Sequence, residues 1–525
     1  MYSSAERQLS RLLNSGHATL LKGGRTGLEK ESLRVGPDGS IAQTPHPRVL
    51  GAALTHPWIT TDYSEALLEF ITPPMDDPIE ALAFLRDLQH FVYLKLDGEL
   101  LWSASMPCVV EGESYIPIAE YGTSNAGLMK TVYRRGLGHR YGRVMQVIAG
   151  AHYNYSFAED FWPAYQELEQ NSLPLQDFIS DCYFRLIRNL QRFGWLVPYL
   201  FGASPAVCKS FMCGEPTQLQ EFNKSSYYGP YATSLRMCDI GYQNAHEKET
   251  GFKAVYDNLN TYVESLTKAI ETSCPRYEAI GVKVDGEYRQ LNTNILQIEN
   301  EYYSSIRPKQ VPAFNEKPTL ALLRRGVRYV ELRSLDINIF DPVGISATQC
   351  RFLETLMAFC LLHDSPLITA RERGVIDRNL DDVCYRGREP GLQLECNGEA
   401  ISCRQWATEL CTAMSGFAGI LDDGLADSPY TRALQAQFDA IEDPDRTPSA
   451  RVLAGMREHD EGYFEYARRK SLEHQQYFLR LPPETARFRQ FSDAVEQSLD
   501  DQLAMEAADS ESFDAFLQAY FTQTL

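Results

Sequence analysis

In the segment Leu67-Leu68-Glu69-Phe70-Ile71 a carboxylate stands inside an otherwise apolar run. Such a run reads as a buried strand, and a charge within it is stable only when paired or bound to a metal. Similar placements recur along the chain. In Gly27–Val35, Glu29 and Glu31 are two apart, and side chains two apart on a strand share a face. In Met145–Phe157 the residues Gln146, Ile148, Gly150, His152 and Asn154 share one face. In Arg328–Asn338, Glu331 and Arg333 share a face while Val330 and Leu332 take the other, and Asp62 precedes Glu69 in its own stretch. Taken singly, each segment fits an antiparallel sheet with one wet face, and His152 fits a hydrogen-bonded core histidine.

Neighbouring strands would bring these faces together. Two carboxylates about 4 Å apart repel by roughly 4 kcal/mol at an effective dielectric near 20, so several of them need cations. Hard oxygen ligands with one imidazole suit Mg²⁺ or Mn²⁺ better than zinc or copper, and more than one ion. Arg333 on the same floor offers a planar fork for a phosphoryl group or a carboxylate. Together these parts point to phosphoryl transfer assisted by metal ions.

The 525 residues carry 50 Lys and Arg against 70 Asp and Glu, a net charge of -20. That balance argues against binding nucleic acid or an anionic membrane surface, which basic faces attract. The longest apolar stretch, from Phe193 to Val207, is interrupted by Pro198, Ser204 and Pro205, too short and broken for a spanning helix. The polar start MYSSAERQLSRLLNSG has no apolar signal core, so a cytosolic protein is expected. Twelve cysteines without C-x-x-C spacing read as buried thiols in a reducing compartment rather than a zinc or redox motif.

Strand and turn signals dominate up to about Phe340. Gly36-Pro37-Asp38-Gly39 marks a turn, and Asp285-Gly286 between alternating runs marks a hairpin. Helical patterns cover Asp76–Leu96 and Asp181–Trp195; beyond Phe340 the pattern is almost wholly helical, with breaks at Asp443-Pro444 and Pro482-Pro483. The expected class is α+β: an antiparallel sheet with helices on one side in residues 1–340, then a helical portion in 341–525. From Gln490 onward there are eight acidic residues and no Lys or Arg, which reads as a solvated helix face or an acidic docking tail. Arg185, Arg188 and Arg192 form a stripe that is solvated or ion-paired, or that contacts phosphate. There is no GxxxxGK[ST], HExxH or GxSxG, and Gly136–Gly142 misses the dinucleotide fingerprint by one place and lacks a preceding strand.

The segments GLEKESLRV, ALTHPWITTDYSEALLEFITP, SMPC, YGTSNAG, GAHYNYSF, RFGWLVPYLFGASPAVC, YATSLRM, NTNILQIENEYYSSIRPK, RYVELRSLDIN and the terminal MEAADSESFDAFL resemble, in order, the proteobacterial class of glutamate-cysteine ligase. The resemblance implies a glutamine-synthetase-like core, with the antiparallel sheet curved into a funnel and flanked by helices. It implies ATP-dependent joining of the γ-carboxylate of L-glutamate to L-cysteine through γ-glutamyl phosphate, by a monomer. It matches Glu29, Glu31, Asp62, Glu69, His152 and Glu331 to metal ligands. Tyr63, Tyr133, Leu137, Gln146, Tyr242 and Tyr303 match the cysteine pocket. Ile148, Asn154, Arg236, Arg134 and Arg333 match the glutamate and acyl-phosphate positions, with Arg134 and Arg333 as the catalytic pair. This sequence has Lys30 where some relatives have Arg, and Tyr63 where some have Phe.

Overall fold

The computed structural model describes residues 2–107, 109–241 and 250–524. The chain opens with the amphipathic helix α1 (Ser3–Ser15), which buries Ala5, Leu9 and Leu12 and leaves its polar face in water. The first long strand, β1 (Arg25–Val35), runs into the turn at residues 36–39, where Gly39 takes a left-handed conformation. Strands β2 (Ile59–Thr61), β3 (Leu67–Ile71), β4 (Leu100–Leu101), β5 (Ala151–Ser156), β6 (Ile306–Lys309) and β7 (Tyr329–Leu335) complete a seven-stranded sheet. Its order is β6-β7-β5-β1-β3-β2, with β4 on the far end of β1, and every pairing is antiparallel.

Strand alternation gives the two faces different chemistry. Leu28, Leu68, Phe70, Tyr153, Tyr155, Val330 and Leu332 turn to one side and are buried. Helices α2 (Pro78–Tyr93), α3 (Leu175–Phe193) and α4 (Ala347–Leu362) cover the sheet there. Lys30 also points to this side, where its ammonium donates to Gln89 of α2 at 2.5 Å. The opposite face carries Glu29, Glu31, Glu69, His152, Glu331 and Arg333. The strand β5 begins only at Ala151: Val144–Val147 is a 3₁₀ turn, so Gln146 and Ile148 lie outside the alternating strand expected from Met145 onward.

The hairpin at Asp285-Gly286 is present, with both residues at positive φ, but each arm pairs over only two residues. Past Phe340 the chain is helical apart from a second hairpin, Gln393–Cys396 with Glu399–Ser402, around Asn397-Gly398. That Asn-Gly pair, also at positive φ, is the sequence signal that a purely helical reading overlooks. Helix α5 (Pro429–Glu442) ends before Asp443-Pro444, and α6 (Tyr463–Arg480) ends before the double proline. The arginine stripe on α3 serves the fold: Arg188 donates to the carbonyls of Tyr256, Asp257 and Ser365, and Arg192 pairs with Glu372 at 2.5 Å.

The acidic stretch folds back on the protein. Helices α7 (Thr485–Ala508) and α8 (Phe513–Phe521) bury Phe491, Ser498, Phe516, Leu517 and Tyr520, while most of their carboxylates face solvent. The described cysteines are all free thiols, mostly buried, with Cys213 exposed. No described helix is long and apolar enough to cross a membrane.

Candidate active site

Strand register assembles the site. Glu29 is the cross-strand partner of His152, and Glu31 of Glu69; Glu331 is the partner of Asn154. These pairs lie side by side across four neighbouring strands, so residues far apart in sequence share one floor. His152 Nδ1 is 3.0 Å from Glu29 Oε2 and 3.9 Å from Glu331 Oε1, and its Nε2 is 3.7 Å from Glu31 Oε1. The ligand atoms of Glu29, His152 and Glu331 all lie within 4.8 Å of one another, a grouping fit for one metal ion. Glu31, Glu69 and Asp62 line the cavity beside it.

The electrostatics of this floor are uneven. Burial pushes the Glu69 carboxyl well up, and the neighbouring charges of Glu29, Asp62 and Glu31 push it further. Burial also raises Glu31, against the opposing pull of His152. Burial works against ionisation of Glu331 as well, but Lys309, Arg333 and His152 outweigh it and hold the carboxyl low. Glu29 follows the same pattern: burial and Glu331 raise it, while the hydrogen bond and charge of His152 bring it below the usual range. Two polar atoms on this floor, Glu331 Oε2 and Asn154 Oδ1, are buried without a hydrogen-bond partner. Carboxylates that burial and mutual repulsion disfavour, together with orphaned oxygens, fit a site for hard divalent cations.

A cavity of about 560 Å³ opens over this floor. One wall is helix α9 (Asn125–Tyr141), whose Lys130, Tyr133, Arg134 and Leu137 recur at helical spacing and line the cavity. Tyr63 and Gln146 line the cavity as well. Arg134 Nη2 is 4.0 Å from Asp62 Oδ1, and the guanidinium stacks 4.6 Å from the Tyr121 ring centre. Across the floor, Arg333 Nη1 and Lys309 Nζ each stand 3.3 Å from Glu331 Oε1. Lys130 is desolvated, which lowers its ammonium to about 8.

Of the residues singled out from sequence, Glu29, Glu31, Asp62, Tyr63, Glu69, Tyr133, Arg134, Leu137, Gln146, His152, Glu331 and Arg333 line this cavity. Four others lie outside its lining. Ile148 is buried beyond the 3₁₀ turn, and Asn154 donates to Glu29 Oε1 at 2.9 Å. Arg236 donates to the carbonyl of Arg333, and the Tyr303 hydroxyl donates to Met237 Sδ. Tyr242 lies outside the described residues.

Sequence reasoning missed Lys130, Arg307 and Lys309. The first sits in the same helical pattern as Tyr133, Arg134 and Leu137; the other two alternate along β6 and face the same side as Glu331 and Arg333. It also missed the contribution of the C-terminal helices, since Met505 and Tyr520 line the cavity. Their anchorage combines apolar packing, Phe516 and Leu517 on Val132 and Leu291 and Phe491 on Trp58, Phe84 and Phe91, with polar contacts. Thr123 N–H, just ahead of the cavity helix, donates to Glu506 at 2.8 Å, and Asn125 N–H, at its first residue, donates to Asp509, so two carboxylates sit at the helix N-terminus.

A sequence profile of the glutamate-cysteine ligase family matches residues 9–383. A glutamate-cysteine ligase of Alcanivorax borkumensis is 49% identical over 521 residues, covering 98% of this chain and 99% of its own. One of Pseudomonas entomophila is 47% identical over 521 residues, covering 98% of each. The crystal structure of the Francisella tularensis glutamate-cysteine ligase in complex with AMP superposes with a TM-score of 0.89 at 36% identity, covering 95% of this chain and 98% of that one. A bifunctional glutathione synthetase of Pasteurella multocida shares the fold, with a TM-score of 0.70 at 24% identity over 90% of this chain and 54% of its own.

Proposed function

The chain belongs to the glutamate-cysteine ligase family, whose ATP-dependent reaction opens glutathione biosynthesis, and on that premise we propose how its own residues divide the work. The observation that carries the reading is the convergence of Glu29, Glu31, Glu69, His152, Glu331 and Arg333 on one sheet face under a single cavity. Glu29, His152 and Glu331 hold one divalent ion, and Glu31, Glu69 and Asp62 hold further ions, Mg²⁺ or Mn²⁺ by their hard donor set. Bound there, such ions shield the charge of polyphosphate oxygens as an anionic substrate approaches.

The residues of the chain account for the remaining tasks. The γ-carboxylate of L-glutamate attacks the γ-phosphorus of ATP, ADP leaves, and the resulting acyl phosphate is an electrophile that the carboxylate itself is not. The amine of L-cysteine then attacks the acyl carbon and expels phosphate. Arg333 and Arg134, both in the cavity lining, stabilise the charge spread over the transferring phosphoryl oxygens. Lys309 adds positive charge beside Arg333, and Lys130, with its ammonium lowered to about 8, adds positive charge near Arg134 below that pH. Tyr63, Tyr133, Leu137 and Gln146 form a mixed apolar and polar pocket suited to the small cysteine side chain, and Arg236 grips the α-carboxylate of glutamate. Tyr303 and Tyr242 belong to the cysteine side by resemblance, as Ile148 and Asn154 do to the glutamate side.

The test is phosphate release from ATP with Mg²⁺ and L-glutamate, with and without L-cysteine, and mass analysis of the product. Release that requires both amino acids and yields γ-glutamylcysteine is the expected result. Release supported by another amine but not by cysteine would overturn the assignment of the acceptor pocket.

A further inference from the structure

Asp336 immediately follows β7, and its carboxylate is 1% exposed. Both oxygens are engaged. Oδ2 accepts from the Ala203 N–H at 2.8 Å and the Ser204 hydroxyl at 2.6 Å, and Oδ1 accepts from the Ser234 hydroxyl at 2.8 Å. Segments 203–204 and 234–236 are themselves bridged, with the Leu235 N–H donating to the Ser204 carbonyl at 2.8 Å. Asp336 thus ties the loop that carries Arg236 to the end of the strand that carries Arg333.

The same carboxylate faces Arg236. Asp336 Oδ1 is 3.9 Å from Arg236 Nη1, and Arg236 Nη2 donates to the Arg333 carbonyl at 2.8 Å. The acceptor lies where the pairing of β7 with β5 slips by one residue, between Leu332 and Leu335, and such bulges re-aim side chains beside active sites. Space for the guanidinium comes from Gly150: a Cβ there would fall 2.1 Å from Arg236 Nη2. Arg236 thus donates to the Arg333 carbonyl and to Met237 Sδ, has the Asp336 carboxylate 3.9 Å away, and lies against the bare backbone of Gly150.

We propose that Asp336 is a positioning residue for the glutamate end of the site, acting through Arg236 and the Arg333 backbone. The inference rests on the reading that Arg236 grips the substrate carboxylate, and it explains why a buried acid sits beside that arginine. An aspartate fully engaged by three donors cannot swing, so the cation it faces keeps one orientation, and an arginine so oriented loses less freedom when a carboxylate arrives.

The experiment compares KM values for L-glutamate, L-cysteine and ATP in Asp336→Asn, Arg236→Gln and the double variant of the full chain. Asp336→Asn removes the buried charge 3.9 Å from Arg236 Nη1 and is expected to raise the glutamate KM roughly tenfold, with the other two KM values within about twofold. In the Arg236→Gln background the same change is expected to add little, because its effect passes through the arginine. A full additional loss in the double variant, or equal shifts in all three KM values, would reduce Asp336 to a fold-stabilising residue. If Arg236→Gln raises the glutamate KM and Asp336→Asn does not, the positioning role fails while the carboxylate contact stands. An unchanged glutamate KM in Arg236→Gln removes that contact and the proposal with it. Should Asp336→Asn not fold, Ser234→Ala keeps the carboxylate and frees only Oδ1; a rise in the glutamate KM alone is then expected, and none overturns the proposal.

Discussion

Glu29 and His152 are direct cross-strand partners, and the 3.0 Å between Glu29 Oε2 and His152 Nδ1 makes them one side of the tightest ligand cluster on the sheet. Glu331 closes the cluster from the next strand, with one carboxylate oxygen left unpartnered. Metal binding requires His152 neutral and both carboxylates ionised, and the lysine and arginines around Glu331 favour the ionised form.

Replacing Glu29 or Glu331 with Gln removes a negative ligand but preserves shape. Each variant should lose about a hundredfold or more in kcat and need higher Mg²⁺ for half-maximal rate. Titrating activity against Mg²⁺ checks this. Near-normal rates at saturating metal in both variants would remove the cluster from metal binding.

Arg333 stands 3.3 Å from Glu331 and 3.4 Å from the His152 ring, so it bridges the ligand cluster and the cavity. Arg333→Lys keeps the charge and loses the planar fork. We expect kcat to fall by about a hundredfold, with KM values changed far less, because the fork matters most when charge develops in the transition state. Steady-state kinetics at saturating substrates decide it; an unchanged kcat would assign the arginine to ground-state structure.

The sheet face was legible in the sequence because period-two alternation survives folding: Glu29, Glu31, Glu69, His152, Glu331 and Arg333 all reach the cavity that alternation predicts. Alternation failed at Gln146 and Ile148, where a 3₁₀ turn replaces the expected strand. It also says nothing of neighbours outside the strands. Met505 and Tyr520 reach the cavity through the packing of two C-terminal helices, whose acidic composition alone looks like a solvated surface. Arg188 read as solvated, ion-paired or phosphate-binding, yet backbone carbonyls from two distant segments occupy it. Such partners depend on tertiary contacts that a local pattern does not carry.

Glu506 and Asp509 place negative charge at the N-terminus of the helix that bears Lys130, Tyr133, Arg134 and Leu137. Each such carboxylate is worth about 0.3–1 kcal/mol. The double variant Glu506→Gln with Asp509→Asn should loosen the C-terminal helices and that first turn together. Hydrogen exchange should then rise in residues 122–128 and 485–521, and substrate KM values should rise several-fold with kcat less affected. Exchange unchanged in both segments would show that apolar packing alone holds the tail.

On the covered side of the sheet, Glu354 of α4 is 4% exposed and has no hydrogen-bonded cation among the described residues. Its Oε2 accepts from the Tyr430 hydroxyl at 2.5 Å and its Oε1 from Tyr155 at 3.4 Å, while Arg351 lies over the Tyr430 ring and pairs with Asp77. Burial raises the Glu354 carboxyl to about 7, against the hydrogen bond from Tyr430 and the charge of Arg351. Above its unperturbed value of 4.5 the unfolded chain has lost this proton while the native chain keeps it. Stability from this group is therefore full below about pH 4.5, falls as pH rises to about 7, and levels off above; the loss is on the order of 3 kcal/mol. Glu354→Gln keeps a neutral side chain of the same shape at every pH, accepting from Tyr430 and donating toward Tyr155. Melting curves of both proteins at pH 5 and pH 8 should show the variant gaining on the parent at pH 8, with little difference at pH 5. Equal gaps at the two values would mean that Glu354 is ionised in the folded protein throughout this range.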